Sequence, residues 1–436
     1  MNKNKKINIC IAGLGTVGAN VIDSLCKNKD LIFNKLDIEF DIKGISAKTK
    51  SKKRIFDINK YEWFDNPLDL IDIDDCKILI ELIGQEKGLS FELIKKSLEK
   101  KINVVTANKA LLSKHGTELF EIAEKNNVLL LYEAAVAGGI PIIRVIKQSI
   151  FLNKIKKISG ILNGTTNYIL SEMESHNLDF NEVLKKAQSN GYVESDPTND
   201  IEGIDSAHKL SLLSTLCFGS VINFDNISYR GISDIEIEDI NNAKKLGYRI
   251  KLISESTIIN NKMMSVVEPK LVREENYLSN VKGVLNAIKI ETDHLKPLIL
   301  EGEGAGGKAT ASSIISDLFE ITTNSNTLSL GYKIKKLKKF AIENLSEIKS
   351  SFYLRILTKD IPGVLAEITS NLNNEGISIE TILQIPDKDS LSNKVPIIIV
   401  THETKKDLLI KVINKIEKLE FVLSKIAIIN IDKSFG

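Results

Sequence analysis

The sequence has few of the features that mark membrane, secreted or nucleic-acid-binding proteins. Its 436 residues include four cysteines without a C-x-x-C pair, so neither a zinc ribbon nor a disulfide framework is predicted. No apolar run reaches the roughly 18 residues of a membrane span. With 59 Lys and Arg against 57 Asp and Glu, the chain lacks the basic excess that nucleic acid or an anionic membrane selects. We expect a cytoplasmic protein with reduced thiols, small-molecule chemistry, and neither nucleic acid nor membrane as a partner.

Changes of pattern divide the chain into units. Residues 1–132 alternate short β-branched runs with helical patterns, which predicts βαβ units and a parallel, doubly wound sheet. Residues 133–304 have the composition of an α+β domain, including a predicted apolar helix at residues 142–150. A helix within residues 305–325 is expected to return to the first unit and complete it.

The C-terminal part is predicted to consist of a connector and a small separate unit. Residues 326–350 form the connector, and apolar side chains at helical spacing in the lysine-rich segment 333–349 predict a connecting helix. Residues 351–431 show strand and helix patterns in the order βαββαβ, which is typical of a ferredoxin-like sandwich. The fold class is therefore α/β in the first unit, with an α+β unit and a ferredoxin-like unit after it.

A glycine motif of the G-x-G-x-x-G type follows the first predicted strand and opens a helix. Gly13, Gly15 and Gly18 permit a tight turn and a close approach to a pyrophosphate, whose charge then lies at the helix N-terminus. The second strand is not followed by an Asp or Glu that could bond a ribose 2′-hydroxyl; Lys48 and further basic residues follow instead. NADP is therefore predicted rather than NAD, with a solvated lysine loop as the alternative.

The densest group of carboxylates and turn residues lies between residues 187 and 209. Asp205 and Lys209 have i,i+4 spacing, which places them on one helical face. The ordinary interpretation is a surface ion pair worth ~0.2–0.5 kcal/mol. However, the apolar residues that follow predict a buried helix, in which a lysine beside a carboxylate has a shifted pKa and can transfer protons.

Four segments in the first two units together resemble homoserine dehydrogenases. They are TANKALL at 106–112, GILNGTTNYIL at 160–170, the stretch 187–209 and EGEGAGGKATA at 301–311. The motifs stand in the family's order, and the resemblance covers residues 5–325. The C-terminal unit, with KDIPGVLA at 359–366, resembles an ACT domain.

This resemblance implies the reversible, NAD(P)H-dependent reduction of L-aspartate 4-semialdehyde to L-homoserine, a step in threonine, methionine and isoleucine biosynthesis. By the family pattern, Lys209 donates and accepts the proton, with Asp205 orienting it or an intervening water. Lys109 lies between nicotinamide and substrate, and Glu194 and Asp205 bind the amino-acid end of the substrate. The implied cofactor-contacting positions outside the glycines of the motif are Thr16, Val17, Lys109 and Gly306.

The resemblance further implies ligands that the residue types alone do not demand. In residues 132–141, the main-chain carbonyls of Glu133, Val136, Gly138 and Ile140 would hold sodium. Carbonyl oxygens suit a hard cation, and a glycine turn entering a helix is the alternative. The ACT unit implies an amino-acid effector, with threonine expected, and the family is typically dimeric or tetrameric.

Two other functions share parts of this pattern. A semialdehyde dehydrogenase that oxidises the aldehyde needs a thiolate nucleophile, and none of the four cysteines stands in a catalytic loop context. A non-catalytic sensor could bind NADP and an amino acid, but the combination of Lys109, Glu194, Asp205 and Lys209 favours activity. A fusion to an aspartate kinase is not expected, because few residues precede the first predicted strand.

Overall fold

The computed structural model describes residues 5–189, 193, 196–323, 327–384 and 393–433. These residues form two β-sheets that are covered by helices. Within the described residues, no helix combines the length and apolarity needed to cross a membrane. The α-helices are α1 Thr16–Lys27, α2 Lys29–Leu36, α3 Leu89–Glu99, α4 Lys109–Asn126, α5 Ile142–Arg144, α6 Gly164–His176, α7 Phe180–Ser189, α8 Thr198–Ile201, α9 Ile204–Phe218, α10 Ile237–Lys245, α11 Gly307–Thr323, α12 Val364–Asn374 and α13 Lys406–Ile416.

The first sheet is parallel throughout and has the order β3-β2-β1-β4-β5-β6. Ile9 and Ile11 of its central strand share a core with α1 and α11, whereas Cys10 and Ala12 share one with α3 and α4. Burial on both faces explains why these strands read as short apolar runs. The strands are β1 Lys5–Ala12, β2 Ile38–Ser46, β3 Glu62–Phe64, β4 Ile78–Glu81, β5 Asn103–Thr106 and β6 Leu130–Leu131.

The second sheet runs from the middle of the chain into the C-terminal unit, in the order β12-β11-β7-β9-β10-β18-β14-β16-β15. Helices α6, α9 and α10 pack against its first part. The strands are β7 Ile155–Ile161, β8 Ser228–Tyr229, β9 Tyr248–Ile259, β10 Lys262–Arg273, β11 Leu285–Thr292, β12 Leu298–Glu303, β13 Ala341–Ile342, β14 Lys349–Lys359, β15 Ile379–Gln384, β16 Lys394–Thr401, β17 Thr404–Lys405 and β18 Ala427–Asp432.

The C-terminal unit has the predicted βαββαβ order. Its four main strands lie in the order β18-β14-β16-β15, with antiparallel neighbours. Apolar side chains of α12 and α13 form one core with β14 and β16. The ferredoxin-like prediction is therefore confirmed.

This unit is joined to the rest of the chain by more than the connector. β18 pairs in parallel with β10, so the two parts share one continuous sheet. Arg355 of β14 donates to Asp239 of α10 at 2.7 and 3.2 Å and lies 2.7 Å from Glu236. Tyr353 also donates to Asp239, at 3.0 Å. The ACT-like unit is thus docked through a buried carboxylate.

Two predicted helices differ in the structure. The prediction of a connecting helix at 333–349 is wrong. The segment contains a single 3₁₀ turn, Ile334–Lys336, and then β13, which pairs with Lys262 and Met263 of β10. Ile334 and Leu337 contact the core from this turn and the residue after it, so tertiary contacts override the helical spacing. The helix predicted at 142–150 is divided into α5 and a π-helical turn, Val145–Ser149.

Candidate active site

Helix α4, on the first sheet, meets α9, on the second, where two lysines share one carboxylate. Asp205 lies in the first turn of α9, and Lys209 follows one turn later. Lys209 Nζ lies 2.7 Å from Asp205 Oδ2, and Lys109 Nζ, from the first residue of α4, lies 3.0 Å from Oδ1. Asp205 and Lys209 are buried, whereas the Lys109 side chain is 38% exposed. The three side chains form a compact group that opens to solvent at Lys109.

The electrostatics of this group favour a charged aspartate and a lysine that loses its proton readily. Burial disfavours the carboxylate of Asp205, but Lys109 and Lys209 outweigh burial and hold its pKa well below the usual range. Burial also lowers the pKa of Lys209; Asp205 opposes this shift and Lys109 adds to it. An amine in such surroundings can accept and return a proton beside a substrate hydroxyl.

A main-chain carbonyl anchors Lys209 from the second sheet. The carbonyl of Leu162, directly after β7, accepts a hydrogen bond from Lys209 Nζ at 2.6 Å. The same carbonyl accepts one from Asn286 Nδ2 of β11 at 2.9 Å. Two of the three ammonium donors of Lys209 are thus used by Leu162 and Asp205, which sets the direction of the side chain.

A chain of hydrogen bonds at the end of the first sheet positions Lys109. The fully buried Glu81 carboxylate, where β4 ends, accepts from Thr106 Oγ1 at 2.7 Å, and Thr106 Oγ1 accepts from the Asn108 main chain at 3.0 Å. Asn108 then caps α4 by accepting from the main-chain N–H of Leu111 at 3.2 Å. Lys109 therefore starts its helix at the carboxyl edge of the parallel strands, where open α/β sheets bind their ligands.

The glycine motif forms an open turn beside this edge. Gly13 has φ +103°, and a Cβ there would lie 2.3 Å from the Leu82 carbonyl oxygen; at Gly18 it would lie 2.0 Å from that of Gly13. At Gly15, by contrast, a Cβ would meet nothing within 4 Å. Because α1 begins at Thr16, this open face lies at a helix N-terminus. Both properties fit the pyrophosphate of a dinucleotide.

A second helix N-terminus lies next to the first. A Cβ at Gly307, the first residue of α11, would lie 2.4 Å from Asn20 Nδ2 and 3.0 Å from Thr16 Cγ2. Gly306 before it is exposed and has φ +112°, while Val17 is half-buried. The positive ends of two helix dipoles therefore converge on the glycine motif, which favours an anionic ligand there.

Arg54 organises the basic segment that follows β2. Its guanidinium donates to main-chain carbonyls within residues 49–52 at 2.7–3.1 Å and lies 5.6 Å from the Trp63 ring centroid. Its Nε also donates to the carbonyl of Leu14 in the glycine motif at 3.4 Å. The segment, in which Lys48 is exposed, is thereby held beside the glycine motif.

Three family models match successive parts of the chain. The model described as "Homoserine dehydrogenase, NAD binding domain" matches residues 13–133, "Homoserine dehydrogenase" matches residues 141–319, and "ACT domain" matches residues 352–421. The homoserine dehydrogenase of Neisseria gonorrhoeae is 37% identical over 98% of this chain and 99% of its own length. The chain belongs to the homoserine dehydrogenase family.

Solved homoserine dehydrogenases have the same fold. A structure from Thiobacillus denitrificans matches with a TM-score of 0.89 and 35% identity over 98% of both chains. A hyperthermophilic archaeal homoserine dehydrogenase mutant in complex with NADPH matches with a TM-score of 0.63 and 27% identity, over 73% of this chain and 98% of its own. The predicted family, fold class and activity, an oxidoreductase acting on a CH–OH group, are confirmed.

Most residues that the sequence assigns to a homoserine dehydrogenase site lie in two neighbouring groups. Lys109, Asp205 and Lys209 are in contact, while Glu194 lies outside the described residues. The remaining predicted cofactor positions lie in or beside the glycine turn or in the basic segment. They are Gly13, Gly15, Thr16, Val17, Gly18, Lys48 and Gly306.

Asn163 is a member of the site to which the sequence analysis assigned no role. Its Nδ2 donates to Asp205 Oδ2 at 2.9 Å and to Asp200 Oδ1 at 2.7 Å. Its Oδ1 caps α6 by accepting from the main-chain N–H of Thr166 at 2.8 Å. An asparagine before a helix is a usable capping signal, but its contacts to the two carboxylates depend on the folded chain. Asn163 joins the group of Lys109, Asp205 and Lys209 to a second carboxylate.

The loop at residues 132–141 supplies buried main-chain oxygens. The carbonyl of Gly138 accepts from Ser313 Oγ at 2.6 Å, and that of Glu133 accepts from the Val136 N–H at 3.4 Å. The Ile140 carbonyl accepts the N–H two residues later at 2.8 Å. A carbonyl oxygen has two lone pairs, so each of these oxygens keeps one lone pair beside its internal hydrogen bond, and carbonyl oxygen is a donor type that suits a hard cation.

The side chain of Glu133 lies inside a buried ionic group. Its carboxylate oxygens accept from the main chain of Ile143 and Arg144 at 2.8 and 2.9 Å, and burial raises its pKa to about 7. Its main-chain N–H donates to Asp317 of α11 at 2.9 Å. Arg144 also lies 3.2 Å from Glu320. These contacts tie the loop to α11 and place the Glu133 carboxylate at the first N–H groups of α5, which have no partner within the helix.

Proposed function

We propose that this site interconverts L-homoserine and L-aspartate 4-semialdehyde with Lys209 as the proton acceptor and donor. When bound, the nicotinamide cofactor accepts a hydride from the substrate carbon or returns one to it. In oxidation, neutral Lys209 removes the hydroxyl proton as the C–O bond becomes double; in reduction, its ammonium form returns the proton to the carbonyl oxygen. The observation that supports this role is the contact of buried Lys209 with Asp205 at 2.7 Å.

The neighbouring side chains orient Lys209 and bind the substrate. Asp205 balances the charge of Lys209 once it is protonated and holds it towards the substrate. Lys109, which is partly exposed, lies between nicotinamide and substrate and binds the latter. Glu194 binds the substrate's ammonium group, for which a carboxylate is suited. The proposal for Glu194 rests on the sequence motif alone.

Lys209→Met tests the proton-transfer role because it keeps an apolar side chain of similar length and removes the amine. We expect kcat for homoserine oxidation to fall ~10²–10⁴-fold, with cofactor binding intact. Lys251→Met is the matched control: Lys251 is another buried lysine, held by Asn167 Oδ1 at 2.9 Å and by the Val281 carbonyl at 2.6 Å, outside this group. A near-normal kcat in Lys209→Met would contradict the proposal.

The cofactor is proposed to be NADP in preference to NAD. Lys48 is exposed just after β2, and the adjoining segment is positively charged and held beside the glycine motif. The complex of the archaeal relative with NADPH is in line with this choice. Lys48→Glu should raise the KM for NADP more than the KM for NAD, whereas Lys60→Glu, at another exposed lysine, should affect neither. Equal effects of Lys48→Glu on both cofactors would exclude the 2′-phosphate contact.

A sodium ion is proposed at the carbonyls of Glu133, Val136, Gly138 and Ile140. These oxygens are buried and hard, which is the chemistry such a cation prefers. A ligand that binds only the folded state raises its stability. The melting temperature should therefore be higher in sodium chloride than in choline chloride at equal ionic strength, and identical melting curves would argue against the site.

The C-terminal unit is proposed to bind an amino-acid effector, with threonine tested first. The sequence predicts that residues 360–365 and 373–376 line the effector site. Gly363, with φ +91°, precedes α12, and Gly376, with φ +72°, follows it, so these segments contain turns at the two ends of one helix. A thermal-shift screen of the full chain should show stabilisation by the effector. The absence of any shift across the proteinogenic amino acids would leave the unit with a structural role only.

The remaining assignments concern organisation. We propose a homodimer or homotetramer, and a cytoplasmic location in keeping with four unpaired cysteines. The proposed units are residues 1–132 with 305–325 for the cofactor, 133–304 for catalysis, 326–350 as connector and 351–431 for regulation. Size-exclusion chromatography with light scattering tests the assembly, and a monomer at working concentration would contradict it.

A further inference from the structure

Helices α4 and α9 touch at a second point, one turn beyond the contact between Lys109 and Asp205. Ser113 lies one turn after Lys109 on α4, and His208 lies three residues after Asp205 on α9. Ser113 Oγ is 2.6 Å from His208 Nδ1, and both side chains are buried. Breaking a buried polar contact leaves unpaired groups that are costly, so this contact sets the spacing of the two helices.

The neighbours of Ser113 indicate where the protons lie. Ser113 Oγ is also 2.9 Å from the carbonyl oxygen of Ala110. A carbonyl can only accept, so the single hydroxyl proton goes to Ala110. We assign the hydroxyl proton to Ala110 on this ground, and the assignment makes Nδ1 of His208 the donor to Ser113 Oγ. Burial lowers the pKa of His208 to about 4, so the ring is neutral and its Nε2 is unprotonated.

Further contacts hold the imidazole in one orientation. The His208 ring stacks on Phe224, with centroids 4.2 Å apart and planes inclined by 17°. Lys114 Nζ lies 5.4 Å from the Phe224 ring centroid and 2.8 Å from Glu86. The charges around His208 therefore come from both helices and the loop before α3: Asp205, Lys109, Lys114 and Glu86.

We propose that His208 is a positioning residue, which keeps α4 and α9 in register by donating to Ser113 while Lys109 exchanges Asp205 for the substrate. The inference rests on the proposed function, in which Lys109 binds the substrate, and it adds that Lys109 gives up its contact with Asp205 when the substrate enters. The contact between Lys109 and Asp205 weakens at that moment, and the contact between Ser113 and His208 persists because neither side chain belongs to the charged group. Small misplacements of a positioning group cost rate.

Variants on both sides of the bond test the proposal. Ser113→Ala removes the acceptor, and His208→Phe removes the donor while keeping an aromatic ring against Phe224. We expect each to lower kcat about fivefold, the ratio that corresponds to one neutral hydrogen bond, with the KM for cofactor unchanged. His208→Asn places an amide donor near the position of Nδ1 and should retain most of the wild-type kcat. The double variant should be no slower than His208→Phe, because both changes remove the same interaction.

The control and a second measurement separate positioning from folding. Ser211→Ala removes another buried hydroxyl of α9, one that donates within the helix to the His208 carbonyl at 2.8 Å, and should leave kcat unchanged. Nitrogen-15 spectra of the wild-type histidine rings should show His208 protonated at Nδ1. Protonation at Nε2, a wild-type kcat in Ser113→Ala, or equal losses in His208→Phe and His208→Asn would overturn the proposal. Failure of the proposed function is a separate result, since it would appear as activity in Lys209→Met.

Discussion

Replacing Arg355 should loosen the docking of the C-terminal unit while leaving the cofactor unit folded. In Arg355→Met, the fully buried Asp239 loses a guanidinium that donates to it at 2.7 and 3.2 Å. Removing one partner of a buried ion pair costs about 3–5 kcal/mol. Asp239 keeps the hydroxyl of Tyr353 at 3.0 Å and the main-chain N–H of Glu236 at 3.2 Å. The lower end, about 3 kcal/mol, is therefore the expected loss of stability.

The single tryptophan allows this loss to be located. Trp63 lies in β3, so its fluorescence reports on the first sheet, whereas far-ultraviolet circular dichroism reports on all units. In a urea titration of Arg355→Met, part of the dichroism should be lost before the fluorescence changes. Early loss of the dichroism indicates that the C-terminal unit unfolds or detaches first, and the free energy of that first transition should be about 3 kcal/mol lower than in the wild type.

Matched variants make the result decisive. Arg230 also crosses the junction, donating to the Ile428 carbonyl at 2.9 Å, but its side chain is 44% exposed, so Arg230→Met should cost less than about 1 kcal/mol. Adding Asp239→Asn to Arg355→Met should recover most of the loss, because no unpaired buried charge is left. Transitions in Arg355→Met that coincide with those of the wild type would refute the reasoning.

Three further expectations follow from the two sites and the junction. Gly18→Ala places a Cβ 2.0 Å from a main-chain oxygen and should abolish cofactor binding by distorting the turn. Gly15→Ala, where a Cβ meets nothing, should keep the wild-type melting temperature and only raise the KM for cofactor. Equal melting temperatures for the two variants would contradict this. Lys109 lowers the pKa of Lys209, so Lys109→Met should raise that pKa. In the pH profile of kcat for oxidation, the rising limb should then move to higher pH. An unmoved limb would count against Lys209 as the base. Deleting residues from about Ser350 onward uncovers the edge of β10 and should give a catalytically active but aggregating protein, measured by light scattering; a monodisperse truncation would oppose it.

The sequence predicts best those elements whose burial is visible in the residue types. The strands of the first sheet are buried on both faces and appear as short β-branched runs, and the C-terminal unit shows strand and helix patterns in the order βαββαβ. The connector shows the limit. Ile334 and Leu337 have helical spacing, yet they contact the core from a 3₁₀ turn and the residue after it. The spacing of apolar residues indicates that they can share a buried face. It does not determine the backbone conformation that places them in the core.

The candidate site also has parts that the sequence predicts and parts that only the structure shows. The pair Asp205 and Lys209 is predictable because one helical turn separates its members, and the glycine motif because its spacing is local. The contacts of Lys109 with Asp205, and of Asn163 with Asp200, join residues distant in the chain and appear only in the structure. Glu133 shows a third case, since the contact of its carboxylate with the N–H groups of Ile143 and Arg144 depends on the fold of the loop between them.

The position of β18 between β10 and β14 has a consequence for synthesis. β10 and β14 do not pair with each other, and the strand that joins them is the last one described in the chain. While residues 427–432 are still inside the ribosome, the second sheet has an unpaired edge along residues 270–272. Such edges can pair with strands of other chains. Emergence of β18 from the ribosome therefore allows the second sheet to close, and until then the edge of β10 is a site where another chain can pair.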